Sequence, residues 1–189
     1  MEIIPCITLK NYNTINNSVT PENISNYIKE GEKLYILDLD GIEKNKTNFE
    51  LYQKISSSYD LWIDCGPRNI GDVVDIFMIG ATSITIRKNK YRKFNIADIR
   101  DISENKVYLN IELSDLKNYK VDDSSLNDFD GFVNFNNRQD IEQDNEFDKY
   151  KNKIYFYEDN AKNKSFWEAH GANGLLVDIS KLKEFKNGI

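Results

Sequence analysis

Six positions carry side chains able to do chemistry at or just past the end of an otherwise apolar run: Thr8, Asp38, Asp40, Asp64, Glu112 and Asn136. Paired carboxylates can serve as general acid and general base on a sugar-like substrate, and a ring of them also suits a cationic or hydroxyl-rich ligand. Side chains alternate between the two faces of a strand, so Val107, Leu109 and Ile111 take one face while Tyr108, Asn110 and Glu112 take the other. The same split places Cys6 with Thr8, Ile36 with Asp38 and Asp40, Trp62 with Asp64, and Phe132 with Asn134 and Asn136 on one interior face. The candidate chemistry is an acid/base pair of Glu112 and Asp64, with Asp38 or Asp40 orienting the substrate. Asp38, Asp40 and Asp64 equally fit a structural role, paired with Lys10, Arg68 or Arg87. His170, the single histidine, sits in the last turn of a helical segment, where it complements the helix dipole. Trp62 and Trp167 read as packing residues.

These positions must be held by the elements around them. Runs rich in Ile, Leu, Val, Tyr and Phe predict strands at Ile3–Leu9, Leu34–Leu39, Leu61–Asp64, Ser83–Ile86, Lys106–Leu113, Phe132–Phe135, Ile154–Tyr157 and Gly174–Asp178. Helix signals lie between them. Thr20-Pro21 opens a stripe of Ile24, Tyr27 and Ile28 that stops at Gly31, and Thr47-x-x-Glu50 reads as a capping box before Tyr52 and Ile55. Further helices are expected over 69–79, 95–102, 141–150, 161–170 and 180–186, with one short turn near Leu126. The phrase Gly80-Ala81-Thr82-Ser83-Ile84-Thr85-Ile86 returns as Gly171-Ala172-Asn173-Gly174-Leu175-Leu176-Val177. Eight alternating units and a half-length repeat predict a single-domain, compact α/β (β/α)8 TIM-type barrel built from two half-barrels, residues 1 to about 103 and 104–189. At 189 residues the helices must be short and the loops tight. In such barrels the C-terminal strand ends carry the chemistry, which is where the six positions fall.

Composition narrows the function classes. A net charge of −6 and a pI near 5.0, with no Lys/Arg stripe on one face, argue against nucleic acid and anionic membranes as partners. Lys88 to Lys93, the densest basic stretch, reads as a solvated loop. No run approaches a membrane span and no leader pattern precedes the first strand, so the expected location is the cytoplasm. Cys6 and Cys65 form no metal-binding or disulfide pattern; no metal and no cofactor are expected. The expected partner is a small-molecule metabolite.

The opening Ile3-Ile4-Pro5-Cys6-Ile7-Thr8-Leu9-Lys10-Asn11 resembles the first strand of the phosphoribosylformimino-aminoimidazole-carboxamide ribotide isomerase family of histidine biosynthesis. Leu34 to Gly41 is similar to that family's second strand, and Gly171 to Asp178 with Asn187-Gly188-Ile189 to its closing segment. Leu61-Trp62-Ile63-Asp64-Cys65-Gly66-Pro67-Arg68 looks like the corresponding segment of an archaeal branch of that family. The resemblance implies acid/base isomerisation of an aminoaldose with two phosphate grips. The first-strand acid falls on Thr8, which has no carboxyl group, and the fifth-strand acid on Glu112. Ribotide isomerase activity is therefore expected to be altered or lost. Gly66 and Arg68 remain as half of one phosphate grip, while Glu158, Asp159 and Asp178 stand where a second phosphate would sit.

Overall fold

Every expected strand forms, each pairs in parallel with the next, and the last returns to the first. The computed structural model describes residues 1–15, 19–87, 95–112, 124–139 and 153–187. The strands are β1 (Glu2–Lys10), β2 (Asn13–Thr14), β3 (Lys33–Asp38), β4 (Asp60–Asp64), β5 (Ser83–Arg87), β6 (Lys106–Asn110), β7 (Gly131–Asn134), β8 (Ile154–Tyr157) and β9 (Gly174–Asp178). Closure is made by β9 on β1, with Glu2 beside Gly174 and Cys6 beside Asp178. The short β2 is the exception, folding back antiparallel on β1. The architecture is a closed eight-stranded parallel barrel of the (β/α)8 class.

The helices are α1 (Leu39–Lys44), α2 (Phe49–Ile55), α3 (Ile70–Met78), α4 (Ile96–Arg100), α5 (Lys164–Ala169) and α6 (Leu182–Asn187). Among the described residues none exceeds nine residues, which helps so short a chain complete the ring. Single 3₁₀ turns at Pro21–Asn26 and Ser124–Asp128 replace longer helices. The helix expected over 141–150 and the basic loop 88–93 lie outside the described residues. The expected capping box at Thr47 does not form. Asn48 is the N-cap of α2, and its amide and backbone N–H both donate to Asp38 instead. The repeated Gly-Ala phrase folds alike in both places: Gly80 and Gly171 take positive φ, 102° and 74°, and release the chain from a helix into a buried strand.

Two cores result. Between barrel and helices lie Ile36, Ile63, Ile84, Leu109, Phe132, Phe156, Trp167 and Leu175 among others. Inside the barrel lie Ile4, Cys6, Tyr35, Trp62, Tyr108, Val133, Tyr155 and Leu176. This corrects the expected facing of two strands. In β3 it is Tyr35 and Leu37 that point inward, and in the β7 segment Val133 and Phe135, so Ile36, Asp38, Phe132 and Asn134 face outward. Both faces of these strands are apolar along their length, so no alternation marks the register, and a slip of one residue exchanges the faces.

Aromatic rings fill the lumen. The Trp62 ring lies 3.9 Å from Tyr108 at 31°, with Tyr155 and Tyr35 edge-on at 4.9 and 5.0 Å. Trp62 Nε1 donates to Thr85 Oγ1 at 2.9 Å, satisfying the one polar atom that burial would orphan.

Candidate functional site

At the C-terminal end of the barrel the sequence-derived ring separates into three kinds of residue. Asp64 stays inside the lumen, at the end of β4 and fully buried. Its Oδ1 accepts from Arg87 Nε at 2.9 Å, and its Oδ2 from Arg87 Nη2 at 2.7 Å and Tyr35 Oη at 2.8 Å. The bidentate pair is the structural alternative read from the sequence. Glu112 lies exposed just past β6. Burial pulls the Arg87 pKa down, but the charges of Asp64, then Tyr35 and Glu112, outweigh it and hold the guanidinium above its ordinary value. Asp64 is thus held by an arginine, and Glu112 adds to that arginine's field.

Asp38 and Asp40 lie elsewhere. Asp38 is buried outside the barrel wall, where it caps α1 through Gly41 N and accepts from Asn48 N, Asn48 Nδ2 and Tyr52 Oη at 2.5–3.0 Å. All its lone-pair directions are used by its own chain. Asp40 belongs to α1, not to a strand, because the backbone turns helical directly at the capping Asp38. It accepts from Tyr12 N and Lys44 Nζ, both at 2.9 Å, and so pins the β1–β2 turn, where Asn11 and Tyr12 both take positive φ. The Tyr12 N–H, then Lys44, lower its pKa from 3.8 to about 2. A depressed carboxyl pKa stabilises above the ordinary value and loses that contribution as pH falls through the folded one. The Tyr12 amide is therefore expected to stay protected from hydrogen exchange at pH 4 and to lose protection as pH falls toward about 2. Protection that is equal at both pH values counts against this anchor.

Gly66 and Arg68 occupy the turn after β4. Gly66 has φ +66°, and a side chain there would press on Ile42. One backbone donor of the turn is taken by a carboxylate, since Asp72 accepts from Arg68 N at 2.7 Å and Asn69 Nδ2 at 3.0 Å; the Arg68 guanidinium reaches only Ile42 O, at 3.4 Å through Nη2, and its buried Nη1 meets no partner among the described residues. Glu158, expected to repel a phosphate, folds back on its own loop. It accepts from the N–H groups of Asp159 and Asn160, from Asn163 Nδ2 and from the buried Trp167 Nε1.

An opening at the strand ends lies beside the ring that the polar-strand-end pattern marked. A cleft of about 760 Å³ lies between the ends of β7 and β8, lined by Phe135, Asn136, Arg138, Tyr157 and Asn160, together with the carboxylates of Glu158 and Asp159 and neighbouring amides. Asn136, read from the sequence as part of a different ring, is one of its lining residues. Phe135 and Tyr157 stack at 5.8 Å and 27° to form an aromatic wall. Arg138 is held flat over the Phe166 ring at 4.5 Å and donates to Asn163 Oδ1 at 3.0 Å. The run Asn134-Phe135-Asn136-Asn137-Arg138-Gln139 at a strand end was the available signal, hidden by the general abundance of Asn in this chain. Tyr157 also borders a smaller chamber, where Thr8 faces inward as expected, beside Cys6 and Asp178.

Among the described residues no group of His, Cys, Asp and Glu is placed to hold a metal ion, and no helix is long and apolar enough to cross a membrane. No protein-family model matches the chain and no curated protein matches it. Solved structures do. The chain is similar to a 2-keto-3-deoxygluconate aldolase from Picrophilus torridus, with 13% identity, TM-score 0.57, 98% of this chain and 77% of that one. It is also similar to an N-acetylneuraminate lyase (sialic acid aldolase) from Aliivibrio salmonicida, with 13% identity, TM-score 0.55, 100% of this chain and 76% of that one. A monomeric dihydrodipicolinate synthase variant superposes with 11% identity, TM-score 0.58, 98% of this chain and 72% of that one. At these identities the likeness shows the fold.

These neighbours overturn the resemblance to the histidine-pathway isomerase and the activity it implied, since they are aldolase and synthase barrels. The quoted motifs are apolar strands closed by a polar residue, followed by a turn glycine. Any parallel barrel needs that pattern at its C-terminal strand ends.

Proposed function

We propose that the protein binds a small hydroxylated carboxylic acid in the cleft between the ends of β7 and β8. The observation that carries this reading is the lining of the cleft. A stacked aromatic wall offers an apolar face, Asn136 and Asn160 can both donate to and accept from hydroxyls, and Arg138 presents a fork matched to a carboxylate, while the Glu158 carboxylate is spent on donors of its own loop and on Trp167, and Asp159 pairs with Lys181. Its volume lies within the range of metabolite pockets. The neighbouring barrels support the class of ligand, since two of them are aldolases named for 2-keto-3-deoxygluconate and sialic acid.

The chemistry suggested by those names does not transfer with the fold. Aldol cleavage through an imine needs a lysine amine desolvated beside the substrate carbonyl, and no lysine is buried among the described residues. The expected result with pyruvate and borohydride is therefore no covalent mass increase. A reduced adduct would restore an aldolase reading. Binding is tested by calorimetric titration with 2-keto-3-deoxygluconate and N-acetylneuraminate. At least one should bind saturably, and Arg138→Gln should weaken it by about tenfold or more, the loss of a charge-assisted hydrogen-bond pair. If neither acid binds, or if Arg138→Gln leaves affinity unchanged, the reading fails.

A further inference from the structure

The smaller chamber at the β1–β9 seam has its own chemistry. It encloses about 130 Å³ and is walled by Cys6, Thr8, Tyr157 and Asp178 below and by Thr14, Ile15 and Val19 above. The β1–β2 hairpin makes the roof: Ile15 N donates to Thr8 O at 2.8 Å, and Thr14 Oγ1 donates to Val19 O at 2.5 Å.

Three oxygen functions meet here. Asp178 spends its Oδ1 on Ser180 N and Ser180 Oγ, and no donor among the described residues reaches its Oδ2. Burial, then Cys6 and Asp178, push the Tyr157 pKa up to about 12, so its hydroxyl stays neutral beside the carboxylate. Burial, then Asp178, likewise push the Cys6 thiol well above its ordinary value, so the sulfur is neutral and not nucleophilic. Among the described residues no lysine or arginine lines the chamber. One uncompensated carboxylate oxygen, two hydroxyl oxygens and apolar walls of Ile15, Val19 and Ile179 are left facing a common space.

We propose that this chamber is a binding site for a primary ammonium group, R–NH₃⁺, separate from the acid-binding cleft. Three acceptors, Asp178 Oδ2, Thr8 Oγ1 and Tyr157 Oη, match the three N–H donors of such a group, and the apolar walls take its first carbon atoms. A hard metal cation is disfavoured by the same count, since it takes six or more oxygen ligands and the chamber offers about half of them. A quaternary ammonium has no N–H to donate and cannot satisfy these acceptors.

The test is titration of the full chain with methylammonium chloride, followed by methyl NMR of Ile15, Val19 and Ile179, at ionic strength held constant with NaCl. Saturable shifts confined to these methyls are expected. Asp178→Asn, whose amide oxygen still accepts from Ser180, should weaken the response by about tenfold or more. Should that variant fail to fold, the pair Thr8→Val and Tyr157→Phe keeps the carboxylate and removes two acceptors, with a smaller loss expected. The same shifts from tetramethylammonium or KCl would overturn the proposal. So would an unaltered response in Asp178→Asn or in the Thr8/Tyr157 pair, and so would the absence of saturation.

Discussion

Arg87→Met is expected to destabilise the protein by roughly 3–5 kcal/mol, the cost of leaving a buried charge without its partner. Asp64 is fully buried, and Arg87 supplies two of its three hydrogen bonds while itself remaining only 17% exposed. Methionine keeps most of the side-chain length and packing over Phe135, so the loss reports charge rather than volume. Adding Asp64→Asn should recover most of it, because the amide still accepts from Tyr35 and no charge remains to be compensated. Urea midpoints at constant m-value measure both steps. A loss below about 1 kcal/mol for Arg87→Met, the size of an exposed pair, would mean that water already screens the site. Recovery in the double variant would also make Asp64 a structural counter-ion rather than a catalytic acid.

This pair shows how far the chain could be read in advance. The barrel was legible because alternation of apolar runs with helix signals is local, and because the β4 segment Asp60–Asp64 and the β6 segment Lys106–Asn110 carry chemistry of one kind on one face. Strand β3 was not legible in the same way. Leu34, Tyr35, Ile36 and Leu37 are apolar on both faces, so the facing was taken from Asp38, the only polar residue near the end. Asp38 answers a different demand, the open N–H groups of α1 and α2. Rule and exception have the same physical origin: a polar residue at the C-terminal end of a strand can line a mouth or cap the helix that follows. The cleft residues were missed for another reason. Arg138, Asn160 and Asn163 come from two loops after different strands, and only closure of the ring brings them together. At Thr8 the facing was legible, because Cys6 two residues earlier lies in the lumen core.

Alkaline pH is expected to unfold the protein through its buried tyrosines, over roughly pH 10 to 12. Tyr35 and Tyr52 are fully buried, and desolvation first, then the charges of neighbouring groups, raises both pKa values well above 10. Desolvation raises Tyr108 and Tyr157 to about 12 as well, and Tyr155 further. For a group whose folded pKa is raised, stability is fully present below the unfolded value, because both states then carry the proton. Above pH 10 the unfolded chain releases protons that the folded chain retains, so stability falls with each pH unit until the folded pKa is reached. Each fully buried tyrosine withdraws up to about 1.4 kcal/mol per pH unit across that window, so Tyr35 and Tyr52 alone place a reserve of several kcal/mol at risk by pH 12. Tyrosinate absorbance and circular dichroism, followed together from pH 9 to 12, check this. The buried set should ionise only in step with the loss of secondary structure. Smooth ionisation of all eleven tyrosines over a folded baseline would show that the lumen admits hydroxide, and that the rings around Trp62 are not the closed core described above.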